Sequence, residues 1–218
     1  MTIEAVVFDM DGVVVDSEDY WREETANILA EAVPDADVDP AEVVGINVYD
    51  QYELLQEAGH DLAVDREGYF DLYNRHASDL YTEKAALTDG FHDLLADVEA
   101  RGLPVGLVTS SFPSWVEMVF ERFELDPYFD VVVTAGGEDV PGKPEPDLYE
   151  LAAQRLGVDP TAMLVVEDSE HGVAAASRAG AHVVGYSHGA SADMDHSEAD
   201  AVATSPAEFR ERVLARLD

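Results

Sequence analysis

The chain has 218 residues, 47% hydrophobic and 9% aromatic, with 12 Lys plus Arg against 47 Asp plus Glu and no cysteine. That length fits one large domain, or a core plus a small inserted module, and the apolar content can bury a real core despite the charge. The missing thiols exclude disulfides, thiolate catalysis and Cys-ligated zinc, and a formal net charge of −35 repels nucleic acid and anionic membrane surfaces.

The first five residues lack a basic region followed by an apolar stretch, so no signal peptide is expected. No uncharged apolar run approaches the ~18 residues of a membrane helix, and the expected location is the cytoplasm. Ile3–Phe8 is a short β-rich apolar run that reads as a buried parallel strand and stops abruptly at Asp9-Met10-Asp11-Gly12. From Asp16 to Thr88 the pattern is helical, at Tyr20–Ala32, Pro40–Val44, Asp50–Ala58 and Arg66–Tyr81. Further strands are expected at Val105–Thr109, Val131–Thr134, Met163–Val166 and His182–Gly185. Helices at Gly90–Arg101, Ser114–Phe123, Asp147–Leu156 and Gly172–Ala179 alternate with them, and Gly102, Gly157 and Gly180 follow three of these as left-handed caps. Strands alternating with helices of this length mean βαβ units. The expected fold is α/β, a Rossmann-like parallel sheet with helices on both faces. Residues 1–15 and 89–218 form the core, and residues 16–88 form an inserted all-helical cap, since insertions that long usually carry a function.

Open parallel sheets bind ligands beyond the carboxyl ends of their strands. At those ends lie Asp9 and Asp11, then Thr109, Ser110 and Ser111, then the loop Gly142-Lys143-Pro144-Glu145-Pro146, then Glu167 and Asp168. Such a set suits phosphate chemistry. A carboxylate attacking a phosphate dianion meets like-charge repulsion, which a hard divalent cation held by Asp9, Glu167 and Asp168 removes. The ammonium of Lys143 neutralises the remainder, and Thr109 with nearby backbone N–H groups can hold phosphoryl oxygens. Asp11, two residues past Asp9, is placed to protonate a leaving oxygen and then activate water. Each piece has a plainer reading in isolation. Asp-x-Asp-Gly is a common turn, a loop lysine is usually solvated, and Ser110 and Ser111 read equally well as caps of the next helix. The seven histidines are scattered without ligand spacing and are assigned no metal, with His171 near the acidic pair as a rim candidate. Tyr69, Phe70, Tyr73 and Tyr81 read as the helical segment's own core.

Together the motifs Phe8-Asp9-Met10-Asp11-Gly12, Val108-Thr109-Ser110-Ser111, Gly142-Lys143-Pro144-Glu145-Pro146-Asp147-Leu148-Tyr149 and Val165-Val166-Glu167-Asp168-Ser169 run in order along the chain. In them the sequence resembles the haloacid dehalogenase-like hydrolases, within the phosphatase and β-phosphoglucomutase-like branch. The resemblance implies Asp9 as nucleophile, Asp11 as general acid/base with its backbone carbonyl on Mg2+, Thr109 as the phosphate-binding hydroxyl and Lys143 as the stabilising cation. It also implies Glu167 and Asp168 as the acidic pair on the metal. True dehalogenases of the family lack an acid at the position of Asp11, so its presence implies phosphoryl transfer. The mutases carry a His after the Tyr of the first cap helix and a cationic residue in the cap loop. Here Tyr20 is followed by Trp21, and Val44-Gly45-Ile46-Asn47-Val48-Tyr49 has no basic residue.

The expected function is therefore magnesium-dependent hydrolysis of phosphomonoesters of small metabolites, as a monomer or small homo-oligomer. Ser110, Ser111, Glu18 and Asn47 are substrate-contact candidates, and Trp21, Arg75 and Lys84 are further ones in the cap. The alternatives are a sugar-phosphate mutase and a non-catalytic phosphometabolite-binding protein. Lys84 and Lys143 are the only lysines, and the acid is dispersed along the whole length, a balance that resembles proteins of halophilic archaea. There multimolar salt screens self-repulsion, because the Debye length falls to about 3 Å at 1 M.

Overall fold

The first apolar run becomes β1 (Ala5–Phe8), buried along its whole length in the computed structural model, which describes residues 2–35, 38–43, 46 and 48–217. A tight turn follows, in which the N–H groups of Val14 and Val15 donate to the Met10 carbonyl at 2.8 and 3.0 Å. It leads to β2 (Val15–Asp16). The chain then leaves the core, returns on β3 (Ala86–Leu87), antiparallel to β2, and continues through α4 (Phe91–Ala100; the helices α1–α3 lie in the excursion), β4 (Val105–Thr109), α5 (Pro113–Phe123) and β5 (Val131–Thr134). After a long loop come α6 (Asp147–Leu156), β6 (Met163–Glu167), α7 (Glu170–Ala179), β7 (His182–Tyr186), β8 (Ala201–Ala203) and α8 (Pro206–Leu217).

The six strands lie in the order β5-β4-β1-β6-β7-β8, with every neighbouring pair parallel. Strand alternation sends Ala5 and Val7 to a face shared with Val108, Val133, Val165, Tyr149 of α6 and Val173 of α7. Phe8 packs on the opposite face, against Phe91 of α4 and Phe209 of α8, with ring centroids 5.2 and 6.3 Å away. Helices therefore cover both faces, which is why the strands read as continuous apolar runs. Gly157 and Gly180 end α6 and α7 in the left-handed conformation, as expected.

Two compact units divide the chain: Met1–Asp16 with Ala86–Asp218, and Ser17–Ala85. The pairing of β2 with β3 keeps residues 16 and 86–88 with the sheet unit, so the helical unit is shorter than the 16–88 expected from the sequence. The sequence reading places no element after Gly185. The structure adds β8 and α8, the latter burying Phe209 and Val213.

The second unit holds α1 (Glu18–Ala32), α2 (Val48–Glu57) and α3 (Arg66–Asp79), followed by a wider helical turn closed by Ala85 N–H donating to the Leu80 carbonyl at 2.8 Å. The segment expected to be helical at Pro40–Val44 contains one 3-10 turn, Pro40–Glu42, and Val44 lies outside the described residues. Tyr69, Tyr73 and Tyr81 are buried, as expected, and Phe70 is half-buried. The hydroxyls of Tyr69 and Tyr73 both donate to Gln51 Oε1, at 3.1 and 2.7 Å. Among the described residues, no helix is long and apolar enough to cross a membrane.

Candidate active site

The carboxyl ends of β1, β4 and β6 and the loop after β5 bring together most of the residues singled out in the sequence. Asp9 follows β1 directly, and its backbone N–H donates to the Val166 carbonyl of β6 at 3.0 Å. The strand ladder therefore sets where this carboxylate stands. Lys143 reaches it from the loop, and its ammonium donates to Asp9 Oδ1 at 2.7 Å, Glu167 Oε1 at 2.5 Å and the Val108 carbonyl at 3.0 Å. Those bonds use all three donors of a lysine. Burial pushes the Asp9 carboxyl well above its ordinary value; the Lys143 cation opposes this, and the neighbouring Glu167 charge reinforces it. Burial by itself would lower the Lys143 ammonium, but the two carboxylates it touches outweigh that and hold it firmly charged.

A second chain of bonds starts at Thr109, the last residue of β4, which is buried. Its Oγ1 accepts from the Ser111 N–H at 3.0 Å, and Ser111 Oγ donates to Asp11 Oδ2 at 2.6 Å. Ser110, between them, is exposed. The Asp11 carboxylate is thus tied to the β4 end.

The third part is the end of β6, where Glu167 and Asp168 are both buried. Asp9, Glu167 and Asp168 each place a carboxylate oxygen within 4.8 Å of the others. Two glycines make room. A Cβ on Gly12, at φ +74°, would stand 2.0 Å from Asp168 Oδ2, and one on Gly172 would stand 2.0 Å from Glu167 Cδ. Both positions require glycine because a carboxylate occupies the space of a side chain.

Two participants were not assigned from the sequence. Tyr149 of α6, fully buried, donates its hydroxyl to Glu167 Oε1 at 2.6 Å, and its ring centroid lies 5.5 Å from Lys143 Nζ. Burial and the nearby carboxylates push the Tyr149 hydroxyl well above its usual value, so it remains a donor. His196, in the loop after β7, lies with Nε2 2.7 Å from the Asp168 backbone carbonyl. Tyr149 stands inside the quoted Lys143 motif, where a buried aromatic on α6 is a readable signal. Nothing in the spacing of His196 announces it.

The remaining candidates, His171 apart, belong to the helical unit. Glu18 is the first residue of α1 in the helical unit, and Asn47 lies outside the described residues. Lys84 is paired with Glu24 at 2.8 Å, and Glu24 also takes His76 Nδ1 at 2.6 Å. The Lys84 hydrogen bond, opposed by burial and joined by His76, holds Glu24 below its ordinary value. Arg75 bonds Glu31 at 2.9 Å, and Trp21 Nε1 donates to the Tyr81 hydroxyl at 2.9 Å. His171 is exposed on α7.

The family model of haloacid dehalogenase-like hydrolases matches residues 3–180. A phosphoglycolate phosphatase of Shigella boydii serotype 4 is 39% identical over 119 residues, covering 54% of this chain and 46% of the relative. The matched segment thus spans about half the length of that enzyme. A phosphorylated carbohydrates phosphatase of Thermotoga maritima is 30% identical over 179 residues, 82% of each chain. Among solved structures, CbbY from Rhodobacter sphaeroides in complex with phosphate superposes with a TM-score of 0.81 at 25% identity, covering 95% of this chain and 96% of the other.

Proposed function

The chain belongs to the haloacid dehalogenase-like hydrolase family, and on that premise we propose that it hydrolyses phosphomonoesters of small metabolites through an aspartyl-phosphate on Asp9. The observation that carries this reading is the Lys143 ammonium, which bridges Asp9 and Glu167 at 2.7 and 2.5 Å. A buried carboxylate held at a strand end beside a cation suits a nucleophile that attacks a phosphate.

Three buried carboxylates face one ammonium in this group, and such a hard-oxygen set fits a divalent cation such as magnesium. Asp9, Asp168 and Glu167 are the side chains that would hold it, together with the Asp11 backbone carbonyl. When bound, it would supply charge neutralisation between the attacking carboxylate and the phosphate dianion. Asp9 attacks phosphorus, the bond to the ester oxygen breaks, and the leaving oxygen takes the proton of Asp11. The resulting Asp11 carboxylate, kept in place by Ser111, then takes a proton from a water whose oxygen attacks phosphorus. That step frees Asp9 and inorganic phosphate and restores the protonated Asp11. Thr109 already accepts from the Ser111 N–H, so its own O–H is available to a phosphoryl oxygen.

The Ser17–Ala85 unit is the proposed source of substrate selectivity. Where mutases of this branch carry a His, Trp21 packs against Tyr73 and Tyr81, each 5.9 Å away by ring centroid, and donates to the Tyr81 hydroxyl. An indole so engaged offers no exchangeable base, which supports hydrolysis over phosphoryl relocation. The test is phosphate release from phosphoglycolate and a panel of sugar phosphates, with magnesium in multimolar KCl. Asp9→Asn is expected to abolish release without loss of fold. Substantial turnover by that variant would refute the nucleophile, and isomerised sugar phosphate without free phosphate would point to a mutase.

A further inference from the structure

Asp168 lies one residue beyond β6, whose last ladder pair is Glu167 with Gly185. Its backbone carbonyl is therefore outside the sheet register, and it faces a side chain instead. His196 Nε2 lies 2.7 Å from that oxygen, and Nδ1 of the same ring lies 2.9 Å from the Met194 carbonyl. A neutral imidazole has one N–H, and placed on Nε2 it donates to the Asp168 carbonyl; the ring is only 7% exposed although it comes from an irregular loop. The His196 carbonyl in turn accepts from the Ala199 N–H at 3.0 Å, which closes the loop on itself.

Room for the ring comes from β7. A Cβ on Gly185 would stand 2.9 Å from His196 Cδ2 and 3.2 Å from its Cβ and Cγ. Gly185, the register partner of Glu167, thus leaves the space that the His196 ring occupies beside the Asp168 peptide.

We propose that His196 is a positioning residue for the candidate metal site, acting through the Asp168 carbonyl to fix the direction of the Asp168 carboxylate; this rests on the reading of Asp168 as a metal-holding group. The peptide that follows Asp168 is gripped on both sides. His196 holds its oxygen, and Ser169 beyond it caps α7 by accepting the Gly172 N–H at 3.0 Å and donates to Glu167 Oε2 at 3.1 Å. With that peptide plane fixed, the Asp168 side chain keeps the heading that places it in one group with Asp9 and Glu167. Groups that orient a ligand without touching the ion are typically worth about 10–100-fold in metal affinity.

The experiment is Mn2+ binding to the metal-free full chain, followed by electron paramagnetic resonance in multimolar KCl, which suppresses loose association with the acidic surface. Asp168→Asn defines the site-specific component, and its loss in that variant is the expected result. His196→Asn, too short to reach the Asp168 oxygen, is expected to weaken the component about 10–100-fold. His196→Gln, whose amide N–H reaches the position of Nε2, is expected to restore it. Gly185→Ala, whose added methyl would stand 2.9 Å from His196 Cδ2 and displace the ring, is expected to weaken it as His196→Asn does. Melting curves in chelator identify any variant that has unfolded, and the pairing of His196→Gln with Gly185→Ala decides the matter without His196→Asn. Wild-type affinity in His196→Asn or Gly185→Ala, with Asp168→Asn defective, overturns the role of His196 and leaves the metal site standing. Undiminished binding by Asp168→Asn overturns the metal site itself, and the role of His196 with it.

Discussion

Replacing Tyr149 by Phe removes a single oxygen from the centre of the site. The lost bond is the one at 2.6 Å from the Tyr149 hydroxyl to Glu167 Oε1. Both residues are fully buried, so no water replaces the hydroxyl. A hydrogen bond to a charged group contributes about 1.5–3 kcal/mol net. In a chain of this size each kcal/mol moves the melting midpoint by about 2–4 °C, so Tyr149→Phe is expected to lower it by about 3–12 °C. The functional consequence runs through Lys143, because Glu167 Oε1 also takes the Lys143 ammonium at 2.5 Å. With one partner gone, Glu167 has more freedom and Lys143 is held less firmly against Asp9, so kcat should fall while KM changes little. Calorimetry gives the first number, and phosphate-release kinetics at saturating magnesium give the second. A midpoint within about 1 °C of wild type, far below the shift expected for losing a buried charged hydrogen bond, together with unchanged kcat, would refute the reasoning. It would mean that Lys143 and Ser169 hold Glu167 without help.

Two other perturbations follow from the same geometry. Gly172→Ala places a methyl group 2.0 Å from the Glu167 carboxyl carbon. Overpacking of this kind costs about 1–3 kcal/mol or more and outweighs the roughly 1 kcal/mol by which Ala favours a helix; thermal denaturation and phosphate release should both show the loss. In the helical unit, the Lys84 and His76 contacts depress the Glu24 carboxyl below its ordinary 4.5. A depressed folded value means that this stabilisation is complete above the unfolded pKa and is lost as pH falls through the folded one. Wild-type stability should therefore drop below about pH 4.5, and Glu24→Gln, which keeps an acceptor oxygen but loses the charge facing a partly exposed Lys84, should be lower at neutral pH by about 0.2–1 kcal/mol and lose less on acidification. Parallel acid profiles for the two proteins would remove Glu24 as a source of the effect.

The two lysines illustrate what each level of description supplies. From composition, their rarity marks both Lys84 and Lys143 for attention. Only the folded chain separates them, one bridging Asp9 and Glu167 in the sheet unit and the other closing on Glu24 among helices. Spacing along the chain cannot report the difference, because both partners are brought close by tertiary contacts.

The amino-acid sequence by itself determined the sheet and which polar residues stand at its edge. Buried parallel strands must be continuous apolar runs, and the polar residues that interrupt those runs stand at the strand ends where ligands bind. That is why Asp9, Thr109, Glu167 and Asp168 were legible before any coordinate. Tertiary structure decided what those residues lean on. The short β8 and the β2–β3 pair have too few residues to show a period, and they exist because neighbouring strands supply their hydrogen bonds. Tyr149 and His196 entered the site because helix packing and the β6–β7 register carried them there. Hydrogen bonds reaching from α6 to the end of β6, and from a loop across β7, depend on three-dimensional proximity that no local pattern encodes.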